Sequence, residues 1–357
     1  MSVYIKFLSS IFLKSLIYVI CVTLSLVFIL NFLGELDFFQ DKKTDTSFTI
    51  FLAILNSPAL IFDMFPFICL VATQLFFIKL FNNNELITFK YSGLKNSKII
   101  TILSILTLLT GIIIVSVFYY FSSNLKNFYL ELKSPYTSDG KYLAVVTKNG
   151  LWIRDKIANK ILVVNSSKID QNFLMGNFIS EFDKNYNVIR NIKSEKIDIS
   201  KNKWLIYDAR VYINNNYDVY DLLEIDTNFN YKRINSLYSN LSSLNLFALY
   251  ELRLNYKKLN YSIIELDLHL LKIISYPFFL VLMCLFSSLI MFRIKHLSNS
   301  TVKVALGLFF SVIIYYLNNF FFVLGSTEKI TVQMAILIPL LSLSIVNILM
   351  LNNINDK

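Results

Sequence analysis

The feature that most constrains this chain is the way its apolar residues are grouped. Three long apolar segments come first, then a polar region from about residue 125 to residue 261, then three more apolar segments. A transmembrane helix needs about 20 apolar residues, and each of the six segments supplies them. Hydrophobic residues make up 55% of the chain, which is more than an ordinary soluble domain contains. The pattern predicts an α-helical membrane protein with six transmembrane helices in two sets of three.

The second apolar segment is longer than a bilayer requires and contains Pro58 and Pro66, which together predict a tilted or kinked helix. The predicted division into domains is 1–124 for helices one to three, 125–261 for an inserted domain, and 262–357 for helices four to six. The six segments are expected at about Phe12–Leu33, Phe51–Phe81, Ile99–Phe121, Leu268–Phe292, Val304–Leu324 and Ile330–Leu351.

The basic residues of the short loops predict the orientation of the chain. Cytoplasmic loops carry an excess of Lys and Arg. With the N-terminus in the cytoplasm, ten basic residues fall inside and three fall outside, so both termini are expected inside and the middle domain outside. The ten are Lys6, Lys14, Lys79, Lys90, Lys95, Lys98, Arg293, Lys295, Lys303 and Lys357, and the three are Lys42, Lys43 and Lys329.

The middle region has the pattern of an all-β domain. Short runs rich in Val, Ile and Tyr alternate with turn residues, which is typical of a β-sandwich or jelly roll. A helix is expected within about 236–261, before the chain returns to the membrane. The expected strands are Tyr142–Thr147, Leu151–Arg154, Ile161–Asn165, Asn187–Ile192, Ile197–Ile199 and Lys203–Tyr212.

The loop between the second and third segments predicts a short helix at about 83–95, lying along the cytoplasmic surface. Leu86 and Phe89 are three residues apart and share one side of such a helix, with Tyr91 near its edge. Gly93 is placed to cap its end. One interpretation is a plain interfacial connector. The other is a coupling helix that offers Glu85 to a basic groove on a soluble partner.

Several short motifs resemble one family of membrane proteins. Asn84–Leu94 is similar to the Ser/Asn-Glu-Leu…Ala/Ser-Gly segment of the lipopolysaccharide-export permeases, the LptF/LptG family. Asn149–Asp155 resembles the Gly-Leu-Trp signature of the LptG branch, and Lys272 before Pro277 resembles a further pattern of the family. The resemblance extends over the whole chain and is closest to LptG.

The resemblance implies a periplasmic β-jelly roll, a location in the bacterial inner membrane, and a set of partners. Such permeases pair with a paralogous permease (here LptF-like) and sit on a cytoplasmic LptB-like ATPase dimer, which holds the ATP and Mg. They pass lipopolysaccharide to a single-helix LptC-like protein and an LptA-like bridge. This chain is then a transporter subunit with no catalytic residue, no cofactor and no metal of its own. The residues expected to couple it to the ATPase are Glu85, Leu86, Phe89, Tyr91 and Gly93.

Three residues are candidates for contact with the lipid: Lys272, Phe32 and Trp152. Lys272 either faces a lipid phosphate across a cavity or extends to the membrane interface. Trp152 follows a turn at the start of a strand, where a core position is expected. Relatives commonly carry basic residues at the outer end of the first segment, whereas Glu35 and Asp37 stand here. That departure weakens phosphate recognition at this point.

Other functions remain as alternatives. The sequence has no P-loop, so ATP-driven work requires a partner. It also has no Gly-x-Ser-x-Gly elbow and no His-Glu-x-x-His motif. Nothing in it indicates a nucleic-acid partner. An LptF-like subunit is the nearest alternative, followed by a membrane sensor or scaffold with an extracytoplasmic β domain. A lipid-modifying enzyme is disfavoured because Asp63, Lys272 and the Glu265/His269 pair are expected to be too scattered to form a site.

Overall fold

The computed structural model separates the chain into two compact units, residues 1–126 with 264–357, and residues 127–263. The first unit contains most of the apolar helices and the second contains the β-sheet. The residues that the structure describes are 3–40, 42, 44–133, 136, 151–157, 160–170, 172–184, 186–213, 216–231, 234, 240–258, 263–295 and 299–351.

Six helical spans are long and apolar enough to cross a membrane, which confirms the predicted count. Five of them extend beyond the apolar segments at both ends, because polar residues continue the helix past the apolar stretch. The spans are α1 (Val3–Phe39), α2 (Thr46–Asn82), α4 (Asn96–Ile113) continued through a π-helical turn (Ile114–Phe118) into α5 (Tyr119–Lys133), α7 (Ile264–Arg293), α8 (Ser300–Ser326) and α9 (Val332–Leu351). The short helix α3 (Glu85–Tyr91) lies between α2 and α4.

Helices α2 and α7 are the most buried spans, and α1 and α8 are the least buried. Every backbone group inside a helix already has an intrahelical partner, so side chains supply the polar contacts between helices. Ser287 of α7 donates to the carbonyl of Leu70 of α2 at 2.8 Å. Gln74 of α2 donates to the carbonyl of Lys303 of α8, also at 2.8 Å. These bonds fix α2 between α7 and α8.

The second unit contains a six-stranded antiparallel sheet with the strand order β1 to β6, inserted between the third and fourth spans. Each strand lies beside its neighbour in sequence, and the described strands form one sheet. The double-sheet jelly roll therefore stays a prediction. The strands are β1 (Leu151–Ile157), β2 (Lys160–Asp170), β3 (Phe173–Phe182), β4 (Val188–Asp198), β5 (Lys203–Ile213) and β6 (Asn216–Asp226), and they are followed by α6 (Leu246–Lys258).

The strand predictions were partly wrong. The separate strands expected at Asn187–Ile192 and Ile197–Ile199 are one continuous strand, β4, because Lys193–Lys196 alternate faces without a turn. Strands β3 and β6 were not predicted. The strand expected at Tyr142–Thr147 lies outside the described residues.

One face of the sheet carries a continuous apolar core. Trp204 is 1% exposed, and its indole N–H donates to the carbonyl of Phe229 at 2.7 Å. A tryptophan can be buried in this way because its one donor finds an acceptor. The core also includes Leu151, Ile153, Leu162, Val164, Leu174, Ile179, Ile192, Ile197, Ile206 and Val211.

Candidate functional site

Helix α3 is anchored to the membrane helices by the apolar side that its sequence predicts. Leu86 is buried and Phe89 is half-buried, and both belong to a cluster formed by α1, α2, α4 and α7. The ring of Phe89 lies edge-on to Phe7, with centroids 6.1 Å apart. Asn84 takes a left-handed conformation, φ 56°, which turns the chain sharply from α2 into α3. Helix α3 is therefore joined to α2 both by a sharp turn and by a shared apolar cluster.

Gly93 ends α3 in a Schellman motif. The amide of Leu94 donates to the carbonyl of Phe89 at 2.9 Å, and the amide of Gly93 donates to that of Lys90 at 3.0 Å. This motif needs a left-handed residue after the helix, which a glycine adopts without steric cost, and Gly93 has φ 80°. The cap fixes the length of α3 and the direction in which the chain enters α4.

The side of α3 away from the core is available to a partner. Tyr91 is 90% exposed and Ile87 is half-exposed. Glu85 accepts a hydrogen bond from Asn83 at Oε1, 3.1 Å long, whereas its Oε2 is buried and has no hydrogen-bond partner among the described residues. A buried carboxylate oxygen without a donor is costly.

The second site is an ion pair between two membrane helices. Lys272 of α7 lies 3.2 Å from Asp63 of α2, Nζ to Oδ1. The expectation that these residues would be too scattered to act together is wrong, because the packing of α2 on α7 joins positions that are far apart in sequence. The Lys272 ammonium also lies 5.9 Å from the centre of the Phe322 ring, within the range of a cation–π contact.

Pro66 explains a neighbouring contact between the same two helices. Proline has no N–H, so the carbonyl four residues earlier, that of Phe62, has no partner within the helix. The hydroxyl of Tyr276 on α7 donates to that carbonyl, and the two rings stack with centroids 4.7 Å apart. The carbonyl that Pro66 leaves without a partner in α2 is thus satisfied from α7, immediately beside Asp63.

The Asp63–Lys272 pair lines a cavity of about 220 Å³. Its other lining residues are mainly aromatic and aliphatic side chains, together with the amides of Asn318 and Asn319 from α8. A larger apolar groove, about 560 Å³, adjoins it between α7, α8 and α9, and Phe279 lines both. Arg293 lines that groove at the end of α7. This arrangement suits a molecule with a polar head and hydrocarbon chains.

His269 lies one turn before Lys272 on α7 and contacts Tyr119 at the start of α5. Its Nε2 lies 3.2 Å from the hydroxyl of Tyr119. Among the described residues, no three His, Cys, Asp or Glu side chains are close enough to hold a metal ion.

Phe32, Glu35 and Asp37 lie near the C-terminal end of α1, where the resemblance led us to look for lipid contacts. Phe32 is half-buried and stacks on Phe28, with centroids 6.1 Å apart. Glu35 is buried, whereas Asp37 is exposed. The acidic Glu35 side chain therefore lies in the packing of the helices and does not stand on the surface where a phosphate would approach.

Trp152 is not a core residue, so that prediction was wrong. It is 55% exposed because β1 alternates, with Leu151 and Ile153 facing the core on either side of it. The core tryptophan is Trp204, which the sequence analysis did not single out.

Six apolar spans and an inserted β domain among the described residues define a multi-pass membrane protein. The model of the lipopolysaccharide export system permease LptF/LptG family matches residues 6–353. The chain therefore belongs to the LptF/LptG family of lipopolysaccharide export permeases, and it is a multi-pass protein of the inner membrane. No curated protein sequence matches it significantly.

Proposed function

We propose that this chain is the LptG-like permease of an ATP-driven lipopolysaccharide exporter, with α3 and both termini in the cytoplasm and the β domain in the periplasm. The observation that carries the proposal is the two-sided character of α3. Leu86 and Phe89 bind it to the membrane core, while Tyr91 is exposed and Glu85 is partly exposed to a partner. A helix of this kind suits the transfer of movement from a soluble ATPase dimer into α2.

The lipid path follows the cavity and the groove. The head group lies near the Asp63–Lys272 pair, and acyl chains occupy the apolar groove between α7, α8 and α9. ATP binding and hydrolysis, with their Mg, take place in the LptB-like partner, since this chain has no P-loop. The movement of α3 then narrows the space available to the lipid.

The exposed faces of α1 and α8 support pairing with a paralogous LptF-like permease. These two spans are the least buried in the isolated chain, and α8 presents a dense set of exposed aromatic residues. An apolar surface of that size is typical of an interface or a lipid-lined cavity. The aromatic residues are Phe309, Phe310, Tyr315, Tyr316 and Phe320.

The edge of the described sheet at β6 supports delivery to LptC-like and LptA-like proteins. Tyr217, Val219, Tyr220 and Leu222 are all exposed on this strand, and an exposed strand edge accepts a further strand from another chain. Lipid is then passed from one β domain to the next. The LptG-like assignment, in preference to LptF-like, depends on Asn149–Asp155, of which Asn149 and Gly150 lie outside the described residues.

The experiment is a mild-detergent purification of the tagged chain, with measurement of ATPase activity and bound lipid. Glu85→Arg reverses the charge on α3 and is expected to lose the ATPase. Glu131→Arg is the matched control, because Glu131 also accepts a hydrogen bond from a nearby asparagine, Asn127, at 2.9 Å. That variant is expected to retain the ATPase.

The sensor or scaffold alternative gives a different result in this purification. A sensor or scaffold would be purified without ATPase activity in the wild type. Loss of the ATPase in both variants would point to general destabilisation and would contradict a specific role for Glu85.

A further inference from the structure

The lining of the cavity at the Asp63–Lys272 pair contains one cation and one anion. Lys272 is the cation and Asp63 the anion, and their charged groups are 3.2 Å apart. Lys126 is also close enough to interact electrostatically with Asp63. The other polar side chains of the lining are uncharged: Ser275, Tyr276, Tyr315, Asn318 and Asn319. An anionic head group that enters must compete with a carboxylate already bound to the lysine.

The lining favours one class of ligand. Lysine binds phosphate as a compact point charge, and asparagine amides bind sugar hydroxyls and phosphate oxygens. Phe279, Phe322 and Leu340 lie beside these polar groups. The combination suits a phosphorylated sugar attached to a lipid better than free inorganic phosphate, which has no apolar part to contact those side chains.

Asp63 occupies a part of the continuous helix α2 that is weakened by two prolines. It lies between Pro58 and Pro66, and each proline removes one hydrogen bond of the helical ladder. The carbonyl released by Pro66 is held from α7 by Tyr276, so α2 and α7 share both a hydrogen bond and an ion pair at this level. The carboxylate is also partly exposed, with 57% of its side chain accessible, and it can move off Lys272 into solvent or a polar head region.

We propose that Asp63 is an internal competitor for Lys272, which a phosphate of the lipid head group displaces when the lipid binds. The carboxylate then returns to the lysine when the lipid leaves, so that Lys272 keeps an anionic partner with or without the lipid. This inference deepens the proposed function, on which it rests, by assigning the class of head group and a residue that limits its affinity.

The test measures lipid affinity for the full chain, with its co-purifying partners, in nanodiscs of uncharged phosphatidylcholine. The probes are a monophosphorylated lipid A, the same lipid without phosphate, and inorganic phosphate alone. Asp63→Asn removes the competitor and is expected to bind the phosphorylated lipid about two- to five-fold more tightly, the range that removal of a partly exposed ion pair gives. Lys272→Gln is expected to abolish the preference for the phosphorylated lipid.

The control is Glu224→Gln, which removes the carboxylate of another exposed ion pair, that with Lys203 in the β domain. It is expected to leave lipid affinity unchanged. Equal or weaker binding by Asp63→Asn, with normal binding by the wild type, would overturn the competition alone. Inorganic phosphate that binds as tightly as the lipid would overturn the lipid assignment of the cavity. A wild type that purifies with an ATPase but binds neither lipid would overturn both this inference and the lipid path proposed above.

Discussion

Glu181 of β3 is a buried carboxylate with two cationic partners on neighbouring strands. Arg190 of β4 donates to it at 2.6 Å, and Lys160 of β2 forms a second ion pair with it. Burial raises the pKa of the Glu181 carboxyl, but the hydrogen bonds and charges of Lys160 and Arg190 outweigh that effect, so its pKa lies below the ordinary value of 4.5. A carboxyl with a lowered pKa stabilises the fold above that ordinary value, and the contribution is lost as the pH falls through the pKa of the folded state.

We therefore expect Glu181→Gln to lower the free energy of unfolding of the β domain at pH 7 by about 1–3 kcal/mol, the cost of losing hydrogen bonds to charged groups. The difference from the wild type should shrink below pH 4.5. Both tryptophans of the chain, Trp152 and Trp204, lie in this domain, so tryptophan fluorescence during denaturation reports on it selectively. A difference that stays constant from pH 7 to pH 3 would contradict the ionic role of Glu181.

Contacts between residues close in sequence could be predicted, whereas contacts between distant residues could not. The cap at Gly93 follows from local backbone geometry, which a glycine after an amphipathic turn already indicates. The Asp63–Lys272 pair joins residues 209 positions apart and depends on the register of α2 against α7. Nothing in the local sequence of either helix fixes that register. Trp152 and Trp204 both lie in β-strands. They differ in the face of the sheet that they occupy, because only Trp204 is on the face that packs as the core.

At the scale of elements, α2 and α8 approach each other closely at Gly307. A Cβ added there would stand 2.0 Å from the side-chain nitrogen of Gln74, which itself donates to the carbonyl of Lys303. Gln74 is fully buried, so it has little room to move aside. Small residues at such crossings allow helices to pack closely within a membrane, and Ser311, one turn further along α8, is also small and buried.

We expect Gly307→Ala to lower the thermal stability of the purified protein, with a cost of about 1–3 kcal/mol for overpacking. Gln74→Ala opens the space again, so the double variant should be less destabilised than the sum of the two single variants. The measurement is a double-mutant cycle by thermal unfolding in detergent. Additive effects would mean that Gly307 and Gln74 do not act through the same contact.

The elements differ in how readily the sequence predicts them. The six spans are predictable because apolar length along the chain is the property that a bilayer selects. Strand β6 escaped prediction because it is an exposed strand at the sheet edge, so no alternation of buried and exposed residues marks it. Strand β3 contains Gly176 in a left-handed conformation, φ 60°, which interrupts the strand pattern in the sequence.

At the scale of the whole molecule, six apolar spans with an inserted β domain belong to a lipopolysaccharide export permease. The family match over residues 6–353 agrees with the helix count and with the position of the β-sheet between the third and fourth spans. The proposed functional parts are α3 for the input of energy, the cavity at Lys272 for the head group, and the edge strand β6 for delivery.

The most direct test of this account is ATP-dependent release of lipopolysaccharide from proteoliposomes that contain the chain with its co-purified partners, to a soluble LptA-like acceptor. The account predicts release that requires ATP, that Glu85→Arg abolishes while lipid binding persists, and that Glu131→Arg leaves intact. Release that proceeds equally without ATP, or that Glu85→Arg leaves unchanged, would contradict the coupling of this permease to an ATPase through α3.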